Sequence, residues 1–172
     1  MNNNDRLSRL RYALDIKDVE VVEIFKLGGI ELAKEELQKM LQKSKGNHEA
    51  GAEEFQANEY MKNCDNRMFE SFLNGFIVHK RGPQDSKTEE PKKQELMIKD
   101  SRSVNNVMLK KLKIALSLTS DDMLAILKET DVNISNSELS AVLRKEGQRN
   151  YKECLDRYAR NFLKGLAIRY RE

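Results

Sequence analysis

Phe72-Leu73-Asn74-Gly75 returns ninety residues later as Phe162-Leu163-Lys164-Gly165, each time inside a long amphipathic run. At about 100° per residue on a helical wheel, Met68, Phe69, Phe72, Leu73 and Phe76 gather on one side, with Gly75 at the edge of that stripe. Tyr158, Ala159, Phe162, Leu163 and Leu166 repeat the stripe, and Gly165 takes the same edge. A glycine in a helix interior costs about 1 kcal/mol relative to alanine. Two at matching positions therefore predict that another helix approaches each backbone closely.

Outward from this figure, the repeat covers most of the chain. A shift of 102 places Leu7, Leu10, Ala13, Leu14, Ile24 and Leu37 on Leu109, Leu112, Ala115, Leu116, Ile126 and Leu139 without a gap. Further on the shift becomes 90, placing Cys64, Arg67 and Arg81 on Cys154, Arg157 and Arg171. The first copy thus carries 12 extra residues between Lys43 and Cys64. This pattern predicts an all-α fold made of two tandem copies of a roughly four-helix unit. A unit of that size has a marginal core by itself, so the copies are expected to pack together with pseudo-twofold symmetry and with their fourth helices in contact. The first unit is residues 1–82, with a polar insertion at about 44–58, and the second is 104–172. Residues 83–103 hold Pro83 and Pro91 among balanced acids and bases and read as a solvated linker.

Within the units, helices are expected at about 4–15, 18–27, 34–43 and 63–80, and at 106–117, 120–130, 136–145 and 151–170. Asn4 and Asn106 are the candidate N-caps of the first helices, and Asp18 and Thr119 or Ser120 those of the second. Ser135 and Glu138 have the spacing of a capping box. Gly28-Gly29 suits a left-handed helix end, and no segment alternates as a strand would.

The composition fits this reading. Of 172 residues, 34% are charged and 39% hydrophobic, with no Trp and two Pro, which is a charged, soluble, helix-rich balance. The start Met1-Asn2-Asn3-Asn4-Asp5-Arg6 lacks the apolar stretch of a signal peptide, and no run approaches the roughly 18 apolar residues of a membrane helix. The expected location is the cytoplasm, without a membrane partner. Cys64 and Cys154 occupy equivalent places and are expected as reduced, half-buried thiols.

Catalytic chemistry finds little to work with. His48 lies in the polar insertion, and His79 lies near the apolar stripe with Arg169 at the matching position, so a metal or nucleophile site lacks its usual partners. Asp121-Asp122 and Glu35-Glu36 sit in first turns of helices, where the helix dipole accounts for them. There is no phosphate-binding loop and no dinucleotide fingerprint. No catalytic, cofactor-binding or metal residue is assigned, no small-molecule substrate is inferred, and the protein is expected not to be an enzyme.

The polar side of the last helix is more informative. Arg157, Arg160, Lys164 and Arg171 fall within about 60° of one another, with no acid among them. From Arg149 to Glu172, seven bases face three acids, a net of +4 against +3 for the whole chain. Lys110, Lys111 and Lys113 form a second cluster. Cations aligned along a helix neutralise phosphates and release counterions, and Tyr151 and Tyr170 could stack on bases. Arg157, Arg160, Lys164, Arg171, Lys110 and Lys113 are therefore the candidate contacts to RNA or DNA in a non-enzymatic binding or regulatory protein. The alternative is a protein-interaction module or homodimer that uses apolar surface and the Gly75 and Gly165 helices and binds no nucleic acid. A helix-turn-helix built on Gly28-Gly29-Ile30 is disfavoured, because Glu35 and Glu36 on the reading helix would be repelled by the DNA backbone.

Leu10-Arg11-Tyr12-Ala13-Leu14, Phe72-Leu73-Asn74-Gly75 and the run from Phe162 to Arg171, in this order and with this duplication, resemble the YehS-like family of small bacterial proteins. The resemblance implies a bacterial cytoplasmic protein made of two copies of a domain of unknown function. It carries no assigned activity, cofactor or catalytic residue. The polar loop from Ser44 to Asn58 departs from a minimal version of that pattern.

Overall fold

The computed structural model describes residues 2–41, 62–81, 98, 101–144 and 148–171. Among them the chain is all-helical: α1 (Asn3–Ala13), α2 (Asp18–Leu27), α3 (Lys34–Leu41), α4 (Asn66–Arg81), a 3-10 turn (Ser101–Ser103), α5 (Val104–Ala115), α6 (Ser120–Lys128), α7 (Asn136–Leu143) and α8 (Asp156–Arg171). No strand occurs among the described residues. None of these helices is long and apolar enough to cross a membrane. The polar insertion at 44–58, His48, Pro83 and Pro91 lie outside the described residues.

Helix ends follow local chemistry, but three of the expected caps, Asn4, Asp18 and Asn106, lie inside their helices. Asn2, not Asn4, caps α1: its side chain accepts from the Asp5 N–H while the Asp5 carboxylate accepts from the Asn2 N–H. Thr119 and Asp122 form the same box at α6, and the Ser135 hydroxyl accepts from the Glu138 N–H at α7. The helix α2 begins after Lys17, which makes no side-chain cap. Asn4 and Asn106 lie inside the first turns, buried, and each acts as a clamp. The Asn4 amide donates to Met40 O (2.8 Å) and Lys62 O (2.7 Å) and accepts from the Cys64 N–H (2.9 Å). Asn106 does the same with Val142 O, Lys152 O and the Cys154 N–H. A carboxamide, with two donor hydrogens and an acceptor oxygen, is the group that satisfies all three. Capping statistics at a helix start point to the same residue type but cannot reveal these partners.

The repeated glycines sit where α4 crosses α2 and where α8 crosses α6. A Cβ added to Gly75 would overlap the Ile24 carbonyl oxygen and lie 2.8 Å from Gly28 N, and one added to Gly28 would overlap the Ser71 carbonyl. The Gly165 backbone meets Ile126 in the same manner. Thr130 stands where Gly28 does in the other crossing, and its hydroxyl donates to Asn161 O at 3.3 Å. Phe25 and Phe72 pack tilted beside the first crossing, with ring centroids 5.2 Å apart. The close approach is thus made by a helix of the same half of the chain.

The halves meet crosswise. Helix α1 packs on α8, and α5 packs on α4. The expected contact between the fourth helices is replaced by this first-to-fourth arrangement. Its physical reason is that the glycine edge of α4 is occupied by α2, and the Glu70 and Asn74 side chains face α5 through Lys111. Ile98, within the stretch expected to be a solvated linker, packs against the core, and its N–H donates to Glu70 Oε1 at 2.7 Å.

Cys64 and Cys154 are both free and buried. Burial, with Asp65 adding to it at Cys64 and Asp156 at Cys154, pushes each thiol from the ordinary 9.0 up to about 12. Between these values the folded protein keeps protons that the unfolded chain has released, so stability must fall as pH rises above 9, by about 1.4 kcal/mol per thiol per pH unit. Urea midpoints at pH 8 and pH 10 are expected to show it. The loss should be about 3 kcal/mol smaller in the Cys64→Ala, Cys154→Ala double variant. An equal loss would mean the thiols do not carry it.

Candidate nucleic-acid interface

Helix α8 turns Ala159, Phe162, Leu163, Gly165 and Leu166 into the core. The same 3.6-residue period leaves Arg157, Arg160 and Lys164 exposed on the other side. Across from them α1 presents Ser8, Arg9 and Tyr12. Between the two helices runs an open groove of about 610 Å³ whose lining is Ser8, Arg9, Tyr12, Arg157, Arg160, Asn161, Leu163, Lys164 and Ala167. Four of these are cations and none is an acid. Among the described residues, no ion pair engages any of the four. Arg169, on another side of α8, pairs with Asp122 at 3.6 Å and so is not part of this surface.

The sequence-selected residues separate here. Arg157, Arg160 and Lys164 line the groove together. Arg171 ends α8, and its side chain lies outside the described part of the structure. Lys110 and Lys113 belong to α5, against α4, and are not among the groove lining. Their neighbour Lys111 is buried. Tyr151 and Tyr170 do not line the groove, whereas Tyr12, 60% exposed, does. Arg9 and Tyr12 were missed by reading α8 alone. The signal available was the 102-residue shift, which sets Arg9 on Lys111.

The α4·α5 contact shows what the matching positions do when charges complement. Lys111 Nζ donates to Asn74 Oδ1 and lies 3.7 Å from a Glu70 carboxylate oxygen, with Lys111 6% and Glu70 0% exposed. Burial lowers the Lys111 pKa, and the Glu70 charge opposes that shift. The same shifts set Glu70 on Arg160 and Asn74 on Lys164. At the α1·α8 contact, therefore, a base stands where the acid stands in the other. Arg9, Arg160 and Lys164 cannot neutralise one another, and the groove they line stays open.

A second polar cluster lies where the halves meet, around Arg6. Its Nε donates to Asn105 Oδ1 and its Nη1 to Asn3 Oδ1, both at 2.8 Å, and Nη2 lies 3.5 Å from Asp156. Asn3 donates to Asn66, and Asn105 to Cys154 O and Asp156. Burial lowers the Arg6 pKa while Asp156 opposes it. These groups satisfy each other, which is the behaviour of a structural lock. Among the described residues, no group of three or more His, Cys, Asp or Glu side chains could hold a metal ion.

Residues 3–82 and 105–172 match the family model described as "Protein of unknown function (DUF1456)". The chain is also similar to "Uncharacterized protein YehS" of Escherichia coli (strain K12), with 36% identity over 170 residues, 98% of this chain and 96% of the relative. No solved structure matches it.

Proposed function

The chain belongs to the DUF1456 family, described as proteins of unknown function, and from that premise we propose that it is a non-enzymatic nucleic-acid-binding protein whose site is the groove between α1 and α8. The observation that carries the reading is four cations without an acid, at a contact whose counterpart holds a carboxylate. Such an excess of uncompensated positive charge is relieved by a polyanion, and the phosphate backbone supplies one along a line. The reading includes a tandem repeat: two four-helix units related by a pseudo-twofold axis and joined by reciprocal contacts of first and fourth helices. Matching clamps at Asn4 and Asn106, and left-handed turns at Asp15 (φ 51°) and Ser117 (φ 53°), support it. In a bacterial cytoplasm the partner is RNA or DNA.

The test is a titration of a generic labelled oligonucleotide at several salt concentrations. Affinity is expected to fall steeply with salt, with a slope of about −0.7 per phosphate contact for a single strand. Reversing Arg157, Arg160 and Lys164 to Glu should lower affinity about a hundredfold and flatten the slope. Unchanged binding by the reversed variant would sink the site. A stable homodimer or a protein complex that survives high salt without nucleic acid would favour an interaction module instead.

A further inference from the structure

We infer that the groove between α1 and α8 takes a single strand, with a base seated in it, in preference to a duplex; this rests on the nucleic-acid site proposed above. Two features of the lining go beyond charge. The floor is apolar, built from the buried Leu163 and the half-buried Ala167, and the wall carries the Tyr12 ring, 60% exposed. The cations stand along one edge: Arg157, Arg160 and Lys164 lie within seven residue steps, about 10.5 Å of helix axis, and Arg9 faces them from α1.

A duplex keeps its bases stacked inside and offers only its backbone to a groove between two helices. Its phosphates could meet the cationic edge, but nothing would reach the floor. A single strand exposes both parts at once. Its phosphates lie on the cations while an unstacked base lies against Tyr12 and the apolar floor, the combination by which single strands are held without sequence preference. A volume of about 610 Å³ is in the range of pockets that hold small organic ligands, so a base and its sugar fit where a phosphate alone would leave most of the space unfilled.

The experiment compares, by fluorescence anisotropy of the full chain at fixed low salt, a labelled 12-nucleotide single strand, the duplex of the same sequence, and competition by inorganic polyphosphate. The single strand is expected to bind at least tenfold more tightly than the duplex. Tyr12→Ala should weaken it about tenfold without changing the salt slope, because stacking is lost and no phosphate contact is. Tyr12→Phe, which keeps the ring, should bind as the parent does, and equal melting curves would show that both variants fold. Equal affinity for strand and duplex, competition by polyphosphate as effective as by unlabelled strand, or a silent Tyr12→Ala would overturn the base-seating inference while leaving a polyanion site. Absence of binding by every probe, or binding indifferent to the Arg157, Arg160 and Lys164 reversal, would overturn the site itself.

Discussion

Gly75→Ala is expected to lower the melting temperature by about 10 °C. The new methyl group would occupy the space of the Ile24 carbonyl oxygen and lie 2.8 Å from Gly28 N, and both obstacles are backbone. A flexible side chain could rotate aside; the last turn of α2 cannot without moving the whole crossing. Overpacking usually costs about 1–3 kcal/mol and occasionally more; against rigid backbone about 4 kcal/mol is expected here, of which the better helix propensity of alanine returns about 1 kcal/mol. With a net cost near 3 kcal/mol and about 2–4 °C per kcal/mol for a chain of this size, the shift follows. Gly165→Ala is the internal comparison. There the neighbours are the Ile126 carbonyl and its Cγ2, a side-chain atom 2.7 Å away. The opposing residue is Thr130, whose hydroxyl already spaces the helices. A smaller drop is expected. Melting curves in which Gly75→Ala behaves as the parent would refute the close crossing of α2 and α4.

Asn4→Ala is expected to cost more, about 4 kcal/mol, seen as a melting point lower by roughly 12 °C. The loss is not that of one hydrogen bond. Removing the carboxamide strands Met40 O, Lys62 O and the Cys64 N–H together, in a region where α1, the end of α3 and the entry to α4 converge. Each stranded buried group costs about 1–3 kcal/mol. Asn106→Ala should do nearly the same in the other half, where the three partners are the equivalent ones. If either variant melts within 3 °C of the parent, water or a local shift is satisfying those groups, and the clamp is not what joins the three segments.

Both variants show which part of the architecture was legible in advance. The helix content and approximate bounds follow from apolar period and cap chemistry, so Thr119 and Ser135 could be read as helix starts. The glycines at 75 and 165 announced a close approach, because a helix interior otherwise disfavours glycine. What they approach was not legible: one glycine edge suits a helix of the same half or of the other, and the wheel does not distinguish them. Asn4 was misread for a related reason. Asparagine near a helix start most often serves the helix's own N–H groups, whereas this one serves carbonyls and an N–H 36 to 60 residues away.

The candidate site divides along the same line. Arg157, Arg160 and Lys164 share a face by helical period alone, so their alignment is a property of the sequence. That Arg9 and Tyr12 complete a groove with them, and that Lys110 and Lys113 do not, depends on α1 lying against α8. Sequence order sets neighbours three and four residues apart on one helix. Which helices touch is decided by how the apolar faces of the eight described helices close over one another, and only that closure brings cations from opposite ends of the chain into a single groove.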